Sequence, residues 1–529
     1  MVSREFPAET EVVIVGAGAA GSLYAARFAA AGKKVLVLES GPAWRLGDLI
    51  SSQIWARRLK WADPLLMQAP GAPAFSHRHA MGRGFGGAAL HHFGTWIRLR
   101  PADFDAIDEV SGFRRWPIGY EDLRPFYDFI QKEVGIAGDA RAERAVGRPR
   151  GAPYPMPPHP LFAQARLLQR GFAAQGLATA PLPLAINSRP YAKRPSCIYD
   201  GWCEAGCPTG ALANPLVTHL ASAQRSGAEV VAEARVTQVL TDERGRANGV
   251  EVQRLGRSHV VRSRWVILAA SVVENSRLLL NSASSRHREG LGNRSGQVGR
   301  GLMVDLVAPV YGIFDEPTDS HMGVSAGQLL HRGAPQDRQR PTAPGAYQWQ
   351  IAPSLKPNDL LGVAATRADL FGTPLDTFMR RSARGMASIV GFAGTSAAPE
   401  NRIVGGGPVG ADGMPAAMLQ YRHPDATLRL RRHLVSEAEA VMRAAGAVDV
   451  WSGPPAGGHL AGGTAMGSDA AHSVCDSHGR CHEAPNVVIA GSGVFPRGSG
   501  TSPTFTLLAI AERSARHLLA NWRDSAAKA

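Results

Sequence analysis

Three of the five cysteines fall in one short stretch, Cys197-Ile-Tyr-Asp-Gly-Trp-Cys203-Glu-Ala-Gly-Cys207-Pro208. The spacing is C-x5-C-x3-C. Thiolates are soft ligands, and three from one glycine-flanked loop can wrap an inorganic iron–sulfur core. A zinc site completed by His or Asp, or buried thiols without metal, fit the same spacing. A second chemical group is His459, alone in the glycine-lined stretch Gly458-His459-Leu-Ala-Gly462-Gly463, where a turn is expected. An imidazole can take a proton near neutral pH. A third is Gly16-Ala-Gly18-Ala-Ala-Gly21, a G-x-G-x-x-G turn that lets backbone approach a pyrophosphate at a helix N-terminus.

These residues need elements to hold them. The run Glu11-Val-Val-Ile-Val15 reads as a strand, residues 22–31 as an alanine-rich helix, and Val35-Leu-Val-Leu38 as a second strand. Glu39 ends that strand, where a carboxylate can bind ribose hydroxyls. A second glycine cluster spans residues 82–94. Residues 121–128 have a helical pattern, and 138–160, rich in Arg, Gly and Pro, read as a long exposed connection. A helix is expected over 213–225, then short strands at 230–231, 236–240, 249–253 and 260–261. A buried strand at 265–270 and a helix at 272–280 follow. Residues 299–450 mix strands with Gly/Pro loops and show no 3.6-residue repeat, which suits a sheet-based lobe. A strand at 486–490, small residues through Thr504 and a helix at 505–519 close the chain, with a second anion-facing N-terminus.

At 529 residues the chain is long for one core, so two lobes are expected. The net charge of +14 is mostly scattered arginine without interleaved aromatics, which argues against nucleic acid. The apolar stretch at 12–31 is broken by Gly16, Gly18, Gly21 and Arg27, so it reads neither as a membrane span nor as a secretory signal. Five cysteines are no disulfide framework. Cys475 and Cys481 lie near His472 and His482; a local disulfide or two free thiols is the expected reading, ahead of a metal site.

Four stretches in order resemble the glucose–methanol–choline (GMC) oxidoreductase family. They are the fingerprint at 16–21, the cluster at 82–94, the segment at 269–280 and the block from His459 to Ser502. The cysteine loop resembles the large flavoprotein subunits of bacterial membrane-bound sugar, gluconate and fructose dehydrogenases. That resemblance implies an α/β (α+β overall) fold: a Rossmann-like FAD-binding domain plus a sheet-based substrate domain, in the two-lobed GMC/p-hydroxybenzoate-hydroxylase-like architecture. The expected segments are 1–110 (FAD-binding), 111–190 (substrate-lobe segment and linker), 191–298 (iron–sulfur loop and FAD-binding), 299–450 (substrate-binding) and 451–529 (FAD-binding, with the catalytic His).

The resemblance implies FAD, held by Gly16, Gly18, Gly21, Glu39, Gly84, Gly86, Gly87, Val236 and Gly491. His91 stands where some members attach flavin covalently; attachment and plain contact are both open. A [3Fe-4S] cluster would sit on Cys197, Cys203 and Cys207. His459 matches the catalytic base, and Ser502 replaces the family's usual His or Asn. The implied reaction oxidises a CH–OH group of a sugar, sugar acid, glycoside or polyol, hydride passing to flavin N5 and electrons leaving through the cluster. A cytochrome c subunit or quinone-linked chain would accept them. A small export or chaperone subunit and membrane attachment through partners are implied too, at the periplasmic face of the bacterial inner membrane; without partners the location would be cytoplasmic. The competing readings are a soluble alcohol oxidase with no working cluster, and a non-oxidative lyase or structural flavoprotein subunit.

Overall fold

The computed structural model describes residues 6–59, 66–68, 81–108, 110–112, 114–333, 345–410 and 413–522. Two seven-stranded sheets organise it. The first runs Glu229–Val231, Val35–Leu38, Glu9–Val15, Arg257–Leu268, Ala247–Arg254, Arg235–Thr241, with Val487–Ile489 also paired to Arg257–Leu268. Continuous apolar runs suit parallel strands covered on both faces, and Val12, Val13 and Ile14 are wholly buried. Val15 lies opposite Leu38 on one side and Leu268 on the other, and Ile489 lies opposite Leu268. This register brings the carboxyl ends together, so Gly16, Glu39, Ala269 and Ala490 emerge at one edge. Ligands of open α/β sheets bind at such an edge.

Arg257–Leu268 is a single strand of 12 residues, not the two expected. Its first part pairs antiparallel with Ala247–Arg254 and alternates exposed and buried positions; its last four residues are buried beside parallel neighbours. The polar residues 262–264 mark that change of environment rather than a break.

The second sheet runs Asp449–Ser452, Met303–Ile313, Met386–Ala393, Tyr347–Ile351, Leu329–Gly333, Ala180–Pro181, antiparallel throughout, with Ala456–Ala461 also paired to Met303–Ile313. The sheet therefore takes strands from both sides of the 299–450 segment. Strand side chains alternate faces. Leu306, Ala308, Trp349, Ile351, Ala387 and Ile389 pack on one face against two helices, Ala163–Ala174 and Asp425–Ala444. The opposite face carries Asp305, Gln348, Gln350, Phe392 and Arg332.

The 20-residue helix Asp425–Ala444 runs against the sequence reading of that segment. Its core stripe of Leu430, Leu434, Ala438 and Val441 is buried, but it is interleaved with Arg429, Arg431 and Arg432, which dilute the apolar signal. The helix expected at 213–225 covers only His219–Arg225, because Pro215 and Thr218 hold a separate short turn before it. Residues 138–160 are not an exposed connection. Arg148 and Glu143 form a buried ion pair at 2.9 Å, and Gln131 donates to the Ala152 and Pro153 carbonyls, pinning the segment to the helix Tyr120–Val134.

Candidate active site

The edge of the first sheet is built around the fingerprint turn. Gly16 takes φ +99°, and a Cβ there would lie 2.6 Å from the Ala269 carbonyl oxygen. A Cβ on Gly18 would meet nothing within 4 Å, so open space lies before the helix Ala19–Ala30. That helix has no side-chain cap and no acid in its first turn. A free helix N-terminus with room beside it fits a pyrophosphate. Gly21 packs the helix onto the turn, its Cα hydrogen pointing at the Gly16 carbonyl.

Glu39 is buried, and its carboxylate accepts from the N–H groups of Ala17 (2.9 Å), Gly41 (2.9 Å) and Gly84 (3.0 Å). It ties the fingerprint turn to the second glycine cluster. Ser40 Oγ also donates to Oε1 at 3.5 Å, whereas among the described residues Oε2 carries the Ala17 bond alone, so capacity for a ribose hydroxyl remains on Oε2. Gly84, Gly86 and Gly87 all have positive φ, and Gly86 donates to the Ala17 carbonyl at 3.0 Å. Ala234 donates to the Glu39 carbonyl at 2.9 Å and leads into Arg235–Thr241, which places the buried Val236 by this edge. Gly491 follows the strand Val487–Ile489 at the same edge, with φ +100°.

The last helix, Thr504–Ala520, also starts without a side-chain cap or first-turn acid. Thr504 and Ala19 line one small cavity with His92 and Trp96, so two uncapped helix N-termini converge there. This arrangement, with the space at Gly18, fits FAD. His91 ends the short turn Gly87–Leu90. Its neighbour His92, which sequence reasoning passed over, faces the cavity; burial pushes its pKa down to about 4 against a hydrogen bond to Ala213, so the ring is neutral.

His459 lies on the strand Ala456–Ala461, not in a turn. The register slips between Gly457 and Leu460, so Gly458 and His459 together oppose Asp305. Such a bulge re-aims a side chain. His459 Nδ1 is 3.3 Å from Asp305 Oδ2, and its ring stacks on Phe392 at 5.5 Å. Burial pushes the Asp305 carboxyl up, His459 opposing it. Asp305 was not legible as a site residue, although one acid in the apolar strand Met303–Ile313 is the kind of signal that could have found it.

Ser502 is buried and accepts from Gln350 Nε2 at 3.5 Å. Arg332 donates to the adjacent Thr501 hydroxyl at 3.4 Å. A Cβ on Gly500 would lie 3.0 Å from the Phe392 carbonyl. The 500–502 loop therefore lies over the polar face of the second sheet, where His459 stacks on Phe392.

In the cysteine loop Cys203 is buried and Cys197 and Cys207 are partly so. Tyr199 N–H points at Cys197 Sγ and Leu212 N–H at Cys207 Sγ, both at 3.3 Å. Burial pushes the Cys197 thiol up to about 12, with Cys203 and Cys207 adding to the rise, and the Cys203 thiol up to about 11, with Cys207 adding to it. The three sulfurs share one loop, and those of Cys197 and Cys207 receive backbone N–H donors, the feature that suits sulfur ligands of a cluster. Among the described residues no group of three or more His, Cys, Asp or Glu converges as for a single metal ion; cluster thiolates each bind a different iron and need not converge. Cys475 and Cys481 are buried free thiols facing each other across an antiparallel bridge.

The sequence matches the description "GMC oxidoreductase" over residues 10–307 and again over 354–511. It is similar to paromamine 6′-oxidase of Streptomyces fradiae, 29% identical over 531 residues, covering 96% of this chain and 90% of that protein. It is also similar to the fructose dehydrogenase large subunit of Gluconobacter japonicus, 26% identical over 549 residues, covering 96% of this chain and 97% of that one. An FAD-dependent oxidoreductase from Chaetomium thermophilum shares the fold, with a TM-score of 0.69, 14% identity, and coverage of 97% of this chain and 99% of that chain.

Proposed function

The chain belongs to the GMC oxidoreductase family, FAD-dependent enzymes acting on CH–OH donors, and on that premise we propose that it oxidises a sugar, sugar acid, glycoside or polyol with His459 as base. The observation that carries this is the His459–Asp305 pair. Asp305 accepts from Nδ1–H, which fixes the tautomer and leaves Nε2 free to take the hydroxyl proton. The buried carboxylate also stabilises the imidazolium that forms. Phe392 holds the ring plane, and Ser502, tethered by Gln350, positions the substrate oxygen. Gly16, Gly18, Gly21, Glu39, Gly84, Gly86, Gly87, Val236 and Gly491 would hold FAD, which supplies the hydride acceptor when bound. His91 makes a flavin contact in this reading.

For the acceptor, Cys197, Cys203 and Cys207 would hold a [3Fe-4S] cluster, which supplies one-electron transfer. Support comes from three cysteines in one loop, two of them with backbone N–H donors on sulfur, and from similarity to a protein named as a dehydrogenase large subunit. A cytochrome c or quinone-linked partner and an export subunit would complete a complex at the periplasmic face of the inner membrane. No helix among the described residues is long and apolar enough to cross a membrane. Oxygen as acceptor is the second reading, favoured by similarity to a protein named as an oxidase.

Purification without air, with iron and sulfide assays, separates them. The first reading expects iron and acid-labile sulfide in the wild type, both lost in Cys203→Ser with FAD retained. An iron-free wild type giving stoichiometric peroxide supports the oxidase instead.

A further inference from the structure

One residue, Asp103, serves three arginines, two through its carboxylate and one through its backbone carbonyl. Its side chain is 3.5 Å from Arg100 Nε and 3.9 Å from Arg332 Nη2, and its backbone carbonyl accepts from Arg497 Nη1 at 3.0 Å. The neighbouring cations Arg98 and Arg148 have carboxylates of their own, Asp128 and Glu143. Asp103 and Arg332 are both buried. Among the described residues Arg100 Nε, Arg332 Nε, Arg332 Nη1 and Arg497 Nε are buried without a hydrogen bond. A buried cation short of counter-charge and of acceptors is costly. Burial, then Arg100, pushes the Arg332 guanidinium down to about 10 against Asp103 and Glu143.

Arg332 stands on the same face of the second sheet as the catalytic pair. Arg332 lies directly opposite Gln348 in the sheet, and Gln348 opposite Phe392, on which His459 stacks. Gln348 is fully buried, and neither its oxygen nor its nitrogen has a partner. Arg332 also reaches Thr501, next to Ser502. A guanidinium matches the planar carboxylate, and a free amide offers a hydroxyl both a donor and an acceptor.

We propose that Arg332 and Gln348 form a carboxylate-recognition subsite, so that the preferred substrate is a hydroxylated carboxylic acid of the aldonate type, its anionic end on Arg332 and its reacting carbinol at His459. This rests on the CH–OH oxidation reading. A neutral polyol leaves the surplus positive charge unanswered, and a protonated amino sugar adds to it.

The test is calorimetric titration of the oxidised holoenzyme with gluconate and with sorbitol, its uncharged counterpart. Gluconate should bind about tenfold tighter or more, a preference lost in Arg332→Gln and kept in part in Arg332→Lys. Equal binding of the two compounds by the wild type overturns the proposal without any variant needing to fold, and so does an undiminished preference in a folded Arg332→Gln. Anaerobic flavin bleaching is followed in the same samples. Absence of bleaching by every CH–OH compound removes the oxidation reading, while the binding preference separately decides the subsite.

Discussion

His459 Nδ1 lies 3.3 Å from Asp305 Oδ2 across a bulge that sets two residues of one strand against one of the next. Without the bulge His459 would alternate with its neighbours along a regular strand. With it, the imidazole meets a carboxylate that nothing else in the strand Met303–Ile313 resembles.

Asp305→Asn should therefore slow flavin reduction by about 10²-fold or more, because the tautomer and the imidazolium both lose their partner. Its stability should move the other way. The folded-state pKa of Asp305 is raised, so its contribution to stability is full while the carboxyl is protonated and is withdrawn as pH rises through that pKa. An amide cannot ionise. Thermal melts should show Asp305→Asn gaining on the wild type from acid to mildly alkaline buffer; a gap that shrinks with rising pH counts against the buried-carboxyl assignment.

Gly18→Asp separates cofactor binding from folding. A Cβ there meets no atom within 4 Å, so the protein should fold with native circular dichroism. The carboxylate would stand at the uncapped N-terminus of Ala19–Ala30, occupying and repelling from the anion site. The expected product is colourless protein. Gly18→Asp purified with a full complement of FAD would place the dinucleotide elsewhere.

Glu133→Gln tests the clamp behind that helix. Arg27, near its end, bonds Glu133 and Glu512 at 2.6 Å each, and His219 meets Glu133 at 3.0 Å. Burial opposes ionisation of Glu133, but His219 and Arg27 outweigh it and hold the pKa at about 2. A depressed folded-state pKa gives stability that is full above the ordinary value of 4.5 and lost as pH falls toward about 2. The variant should lose about 1–3 kcal/mol at neutral pH, discounted for partial exposure. Melts across that acid range should show the difference closing; a constant difference would argue that the substituted amide merely packs less well.

The first sheet was largely legible in the sequence because its strands are short apolar runs ended by glycine or Glu39, a pattern set by local chemistry. The polar face of the second sheet was not. Asp305, Gln348 and Gln350 each sit singly between apolar neighbours and Arg332 follows His331, and only the register of four strands brings them together. The glycines around His459 suggested a turn, whereas they serve close strand contacts: a Cβ on Gly458 would lie 3.2 Å from the Asp305 carbonyl. The stretch 138–160 looked exposed because it is rich in arginine, yet Arg148 is buried against Glu143 of the same stretch.

The central claim is that His459 takes the substrate proton. Its most direct test is the rate of anaerobic flavin bleaching in a single turnover, measured at saturating aldonate or polyol for the wild type and His459→Ala at matched FAD content. The expected result is a fall of about 10²- to 10⁴-fold with FAD fully retained. A His459→Ala protein that bleaches at the wild-type rate would contradict it.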